Sequence, residues 1–190
     1  MEQERYQQQY KAFVQQAEQR LNELCDVYLP VKAQISQAAR YSLLGGGKRV
    51  RAVLVLAACQ LAGGDTAAAA DYAAALEMLH CYSLIHDDMP CMDNDDYRRG
   101  KLTTHKKYGE AMGILAGDAL LNLAYETAFL AFDSKTDKQR IASALKVLGK
   151  KAGIYLTIYQ LKDSGKANGE LAAFIFLGIA CGLLGFLILK

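Results

Sequence analysis

Proline is almost missing from this chain: Pro30 and Pro90 are the only two in 190 residues. Proline removes a backbone N–H and clashes with the preceding turn, so its scarcity leaves long helices open. Alternating apolar and polar runs are also missing, and nothing marks a hairpin, so no sheet is expected. Charge of one sign is not in excess. Lys and Arg number 22 against 20 Asp and Glu, a formal charge of +2. That balance excludes the broad positive field by which proteins gather nucleic acid. The five cysteines (Cys25, Cys59, Cys81, Cys91, Cys181) show no CxxC metal spacing, and their number is odd. The N-terminus, Met1-Glu2-Gln3-Glu4-Arg5, lacks the apolar core of a signal peptide. Reduced, mostly buried thiols in a cytoplasmic protein are expected. No internal repeat and no GxxxxGK[ST] phosphate loop occur.

What is present is helix-forming. Half the residues are apolar, with alanine and leucine foremost. One domain with a sizeable core is expected at this length. Helical spacing of Tyr6, Tyr10, Phe13, Val14, Ala17, Leu21 and Leu24 predicts a first helix over about 4–27, broken by Pro30. Further helices are predicted over about 31–43, 48–62, 66–89, 110–132 and 136–155, with Gly45-Gly46-Gly47 and Gly63-Gly64 as breaks. The run from Ala67 to Ile85 is apolar nearly all round and belongs at the centre. The fold class is all-α, a helical bundle.

The segment after that central helix carries most of the chemistry. Asp87, Asp88, Asp93, Asp95 and Asp96 crowd together, and Arg98-Arg99 follow. Crowded carboxylates repel unless a cation neutralises them. Hard oxygen ligands of this kind suit Mg²⁺, which takes one or two carboxylates plus substrate phosphate oxygens. Paired guanidinium forks suit the phosphates. A solvated acidic loop has the same composition, but has no use for His80, seven residues before Asp87 on one helical face.

A second candidate site is Gly45-Gly46-Gly47-Lys48-Arg49-Val50-Arg51. Glycines let a ligand approach the backbone, and the following helix turns free N–H groups toward the same place. Lys48 and Arg51, three apart, are expected on one face, with Arg49 directed elsewhere. Cations in a first turn oppose the helix dipole unless an anion sits there. The alternative is a plain glycine loop with solvated cations. His80 alone could be a structural histidine. His86 adjoins the acidic cluster but faces away from Asp87, and His105 has a weaker case.

Taken together, residues 45–51, His80-Cys81-Tyr82-Ser83-Leu84-Ile85-His86-Asp87-Asp88, Asp93, Arg98-Arg99-Gly100-Lys101, Thr104-His105 and Gly117-Asp118-Ala119-Leu120-Leu121 resemble the trans-isoprenyl diphosphate synthases, most of all the bacterial farnesyl (geranyltrans) type. The Asp87-Asp88-x4-Asp93 spacing is similar to that family's first aspartate-rich motif. The resemblance covers about residues 1–155. It implies an antiparallel helical bundle of the isoprenoid synthase type, formed as a homodimer. It implies Mg²⁺ held by Asp87 and Asp93 with Asp88 assisting, and Arg98 on an allylic diphosphate. Gly47, Lys48, Arg51, His80 and Arg99 would bind isopentenyl diphosphate. Tyr82 and Ser83, five and four residues before Asp87, would floor the product cavity, an arrangement of short-chain (C10–C15) enzymes.

The family carries a second aspartate-rich motif downstream, and none is found here. Leu156-Thr157-Ile158-Tyr159-Gln160-Leu161-Lys162 resembles the start of a later helix, with Asp163 where Thr or Ser is usual. Residues 1–155 are therefore expected to form the N-terminal part of the domain and 156–190 an atypical helical tail, the bundle being incomplete at its C-terminal end. Residues 171–189 carry no charge and could span a bilayer by length, though a bundle helix is the expected reading. Three functions follow: a Mg²⁺-dependent prenyltransferase, an inactive helical module that binds diphosphate or dimerises, and a tail-anchored protein. Terpene cyclases have a comparable acidic cluster, but the Lys48, Arg51 and His80 set for a second diphosphate favours condensation.

Overall fold

A computed structural model of the protein describes residues 2–153. The expectations for residues 156–190, the 171–189 run included, lie outside them. The architecture is all-α, as the composition predicts. In chain order the elements are α1 (Glu2–Tyr28), α2 (Gln34–Leu43), α3 (Val50–Leu61), α4 (Thr66–Asp87), β1 (Tyr97–Arg98), β2 (Lys101–Leu102), α5 (Thr104–Tyr108), α6 (Glu110–Phe129), a 3-10 turn (Leu130–Asp133) and α7 (Lys138–Ala152).

Each helix forms for a local reason. α1 buries Phe13, Ala17, Leu21, Leu24 and Cys25, one stripe of a 3.6-residue period. α4 starts where the Asp65 carboxylate accepts from the Ala67 N–H at 2.9 Å. α7 starts on Asp137, which accepts from Gln139 and Arg140. The central helix is α4, packed by α3 on one side and α6 on another, with α1 and α2 completing the jacket. Ala73, Ala74, Ala75, Leu76, Met78 and Leu79 on it are fully buried. Alanines let neighbouring helices approach closely, which is why α4 can be surrounded. The helix Glu110–Asp133 is long and apolar enough to cross a membrane by length and composition; it packs on α4 and leaves Ile114, Leu115 and Phe129 exposed.

Three expectations need correction. Residues 31–33 form a turn, closed by Ala33 N–H to Pro30 O at 3.1 Å, so α2 starts at Gln34 and not at 31. The absence of a hairpin was the wrong reading of residues 97–102. Tyr97 pairs Leu102 and Arg98 pairs Lys101 around a turn whose two residues, Arg99 and Gly100, both have positive φ. That is a tight two-residue turn, marked in sequence only by Gly100. The third helix does not include Lys48: Arg49 is left-handed at φ 48°, and α3 begins after it. Lys48 and Arg51 therefore do not share a helical face.

The apolar run of α4 contains two carboxylates: Asp71, paired with Arg20 of α1, and Glu77, which is buried. Its Oε1 accepts from the Ala52 N–H at 3.1 Å, and its Oε2 lies 3.6 Å from the Arg49 guanidinium. Arg49, equally buried, donates to Glu18 of α1 at 2.6 Å and to the Leu43 carbonyl at 2.8 Å. One guanidinium thus joins α1, the end of α2, the start of α3 and the middle of α4. Breaking such a buried pair leaves an uncompensated charge. Arg49→Met is expected to lower the free energy of urea unfolding by about 3–5 kcal/mol. Glu18→Gln, on the half-exposed side, is expected to cost under about 1 kcal/mol. Part of the Arg49→Met loss should return in the double variant Arg49→Met/Glu77→Leu.

Candidate active site

Two features meet at one end of the bundle: a basic cavity and an acidic loop. The cavity lies between the end of α2, the last turns of α4 and the β1–β2 hairpin, and Gly45, His80, Asp88, Arg98, Arg99 and Lys101 are among its walls. The hairpin is tied to α2 by Tyr41, whose hydroxyl donates to Leu102 O at 2.9 Å, and by a hydroxyl contact between Ser42 and Thr104. Its turn docks on the glycine loop. Arg99 donates through Nη1 to the Gly46 carbonyl, and a Cβ on Gly47 (φ +143°) would lie 3.0 Å from that same nitrogen. Gly47 is therefore a seat for the Arg99 guanidinium.

Positive charge converges here. Burial, and then Arg51, Arg99, Arg98 and Arg49 in that order, push the His80 imidazole down to about 2. His80 is neutral at physiological pH. Burial also lowers Arg51, with Arg99 adding to the fall against the pull of Glu77. Several guanidinium groups gathered around one neutral histidine call for an anion with several oxygens. The anion expected at the α3 N-terminus is, in contrast, internal: Glu77 takes the Ala52 N–H. Lys48 is exposed and not among the cavity walls, and its carbonyl accepts from the Tyr10 hydroxyl.

The acidic loop is folded back on α4. Asp93 N–H donates to Asp87 O at 2.9 Å, and Met92 and Asn94 donate to Met89 O. Asn94 takes the left-handed φ of 54° that asparagine tolerates. This closure brings Asp87 and Asp93 next to each other. Asp88 behaves differently. It is buried, and both its oxygens accept from Arg98, at 2.6, 2.9 and 3.0 Å. Burial pushes the Asp88 carboxyl up against the downward pull of Arg98. The far end of the loop is pinned by Thr103, whose hydroxyl donates to Asp95 O at 2.8 Å, and by the Lys106–Asp96 pair.

The donor set fits Mg²⁺ in part. Asp87 and Asp93, joined by their backbone bond, could supply the one or two carboxylates that Mg²⁺ takes when phosphate supplies the rest. Among the described residues no group of three or more His, Cys, Asp or Glu is gathered for a metal. Ser83 and Tyr82 are both buried on α4. The Ser83 hydroxyl bonds back to His80 O at 2.9 Å, and the Tyr82 ring stands edge-on to His86. Sequence reasoning missed Glu77 as a partner of Arg49 and missed Tyr41, Ser42 and Thr103 as anchors of the hairpin. A carboxylate in the middle of an apolar helix is the available signal for the first, since a buried charge needs a partner.

His80 gives a pH test. Its unperturbed value is 6.5 and its folded value about 2. Between the two, the unfolded chain binds a proton that the folded chain excludes, so stability falls as pH drops below 6.5. In His80→Gln the slope of unfolding free energy against pH, followed by urea titration from about pH 6.5 to 4, is expected to be shallower.

Comparison with known proteins now bears on this geometry. The polyprenyl synthetase family model matches residues 32–167. Geranylgeranyl pyrophosphate synthase 3, chloroplastic, of Arabidopsis thaliana is 47% identical over 146 residues, 76% of this chain and 41% of that protein. The Capsicum annuum geranylgeranyl pyrophosphate synthase is 43% identical over 176 residues, 90% of this chain and 47% of that protein. Among solved structures, a geranyltransferase from Legionella pneumophila superposes with a TM-score of 0.89 at 31% identity, covering 100% of this chain and 71% of that one. An FPP/GFPP synthase from Zymomonas mobilis gives 0.78 at 33% identity, covering 94% and 70%. The chain thus spans under half the length of these plant relatives. Its fold, its acidic loop beside a basic cavity, and the family match over most of its length agree: the chain belongs to the polyprenyl synthetase family.

Proposed function

We propose that the chain serves Mg²⁺-dependent prenyl transfer, in which isopentenyl diphosphate condenses with an allylic diphosphate such as dimethylallyl or geranyl diphosphate. The observation that carries this reading is the convergence of Arg51, Arg99 and Arg98 on neutral His80 of α4, the helix that ends at Asp87, on which the Asp93 loop is closed by a backbone bond. Isopentenyl diphosphate binds to Arg51, His80 and Arg99 over the Gly47 seat, with Lys48 outside adding long-range attraction. Arg98, aligned by Asp88, faces the allylic diphosphate. Asp87 and Asp93 hold Mg²⁺, assisted by Asp88 through its grip on Arg98. Bound Mg²⁺ supplies charge stabilisation for the departing diphosphate.

The chemistry asked of these residues is balanced. The allylic C–O bond breaks and its electron pair leaves with the diphosphate. The isopentenyl double bond forms the new C–C bond to the allylic carbon, and the proton then lost from the isopentenyl unit passes to the released diphosphate. Arg98 stabilises the growing negative charge on the departing allylic diphosphate, since a donor fixed in advance need not reorganise. His80, neutral, orients phosphate oxygens without competing for the proton.

We further propose a short product, C10–C15. Tyr82, buried below Asp87 on α4, supports that limit, while the plant relatives carry geranylgeranyl names. The homodimer is also proposed: Ile114, Leu115 and Phe129 leave apolar side chains exposed on α6, a surface that gains by pairing. Cytoplasmic placement is in keeping with Cys25, Cys59, Cys81 and Cys91, all free thiols.

Diphosphate release from isopentenyl plus dimethylallyl diphosphate, with and without Mg²⁺, tests the reading. Mg²⁺-dependent release that falls at least about 100-fold in Asp87→Ala supports it. Binding of diphosphate and Mg²⁺ without release points to the second reading, a helical module that binds diphosphate or dimerises. Neither binding nor release overturns both. Where release occurs, Tyr82→Ala is expected to shift the products, separated by chromatography, to longer chains; an unchanged distribution removes Tyr82 from length control.

A further inference from the structure

The carboxylates of Asp87 and Asp88 are bracketed by two residues that the functional reading does not use, His86 and Met89. Both lean on α6. The His86 Nε2 lies 3.1 Å from the carbonyl oxygen of Ile114. A carbonyl only accepts, so Nε2 carries the proton in this contact. Asp118 Oδ1 stands 3.8 Å from the same nitrogen. The ring lies directly on Gly117, where an added Cβ would fall 2.1 Å from Nε2 and 2.5 Å from Cδ2. One turn earlier, a Cβ on Gly113 would fall 2.8 Å from the Met89 sulfur. Tyr82 closes another side of the imidazole, edge-on at 5.8 Å.

Gly113 and Gly117 are four apart and so share one face of α6. They form a notch, and the residues that fill it flank the first two aspartates. No side chain larger than hydrogen fits at Gly117 while His86 holds its place. An offset of this last turn would carry Asp87 with it. Catalytic and binding groups must be held to a fraction of an ångström, so a fixed support beneath a ligand carboxylate has a direct functional value.

We propose that His86 is a positioning residue: its bond to α6 across the Gly117 notch fixes the last turn of α4 and thereby the place of Asp87 at a magnesium diphosphate. The proposal rests on the prenyl-transfer reading of the aspartate loop. It is distinct from simple packing because its effect is confined to one half of the site. The basic cavity shares the last turns of α4 as one wall, but its Arg99 guanidinium is held by Gly46 and Gly47 of the glycine loop and not by the α4–α6 notch.

Calorimetric titration of the full chain with inorganic diphosphate, with and without Mg²⁺, separates the two halves. His86→Ala is expected to weaken the Mg²⁺-dependent binding about tenfold and to leave the metal-free binding unchanged. His86→Gln, whose amide N–H reaches a similar distance, restores most of the loss. Gly117→Ala behaves like His86→Ala. The double variant is no worse than either single one, because the steric conflict exists only while the ring is present. If Gly117→Ala does not fold, the His86→Ala and His86→Gln pair decides. Equal loss of metal-free and Mg²⁺-dependent binding, or a lowered melting temperature with both bindings intact, overturns the positioning role. A wild-type chain that shows no Mg²⁺-dependent diphosphate binding overturns the functional reading itself, and this inference with it.

Discussion

Arg49 is the residue on which the geometry of the site depends. Its charge is buried among apolar helices, a condition that stands only because Glu18 and Glu77 face it and the Leu43 carbonyl accepts from it. The pairing does more than neutralise a charge. Glu77 also caps the first turn of α3, and Arg49 itself takes the left-handed backbone conformation that starts that helix. The glycine loop lies between Leu43 and Arg49, both held by one guanidinium. Its backbone is therefore held in place from both ends, although its three glycines have no side chains of their own.

A second ion pair extends the same logic to the surface. Asp88 and Arg98 are ten residues apart, and their bidentate contact closes the acidic loop into a compact unit. The Asp93–Asp87 backbone bond lies inside that closure, and the Arg99 turn continues from it onto Gly46 and Gly47. The acidic loop and Arg99 are thus two ends of one continuous segment, and docking the hairpin on α2 brings Arg99 onto the glycine loop. The cost is electrostatic: Arg51, Arg98 and Arg99 crowd a neutral His80, and a polyanion relieves that crowding.

Much of the helical layout is legible without coordinates, because apolar periodicity follows from how side chains project from a helix. The stripe of α1, the central burial of α4 and the break at residues 45–47 were all read this way. The hairpin was not, since two-residue strands carry no alternation to detect. Lys48 was misplaced for a related reason: the i, i+3 rule holds only inside a helix, and the left-handed Arg49 puts Lys48 outside it. Glu77 is hidden within an apolar run, where an isolated carboxylate hardly changes the pattern.

The sequence by itself determined the all-α class, the candidate chemistry of Asp87, Asp93, Arg51, Arg98 and Arg99, and the family those residues belong to. Each of these depends on residue type and local spacing. Tertiary structure alone decided how the residues divide their tasks. It showed Asp88 engaged by Arg98, Arg49 turned inward to Glu77, Arg99 seated on Gly47, and His86 lodged against Gly117. These are contacts between residues 10 to 52 positions apart or between separate helices, and two conditions set them: a buried charge must find its counter-charge, and a close approach must find a glycine. No local pattern encodes which partner will be within reach once the helices have packed.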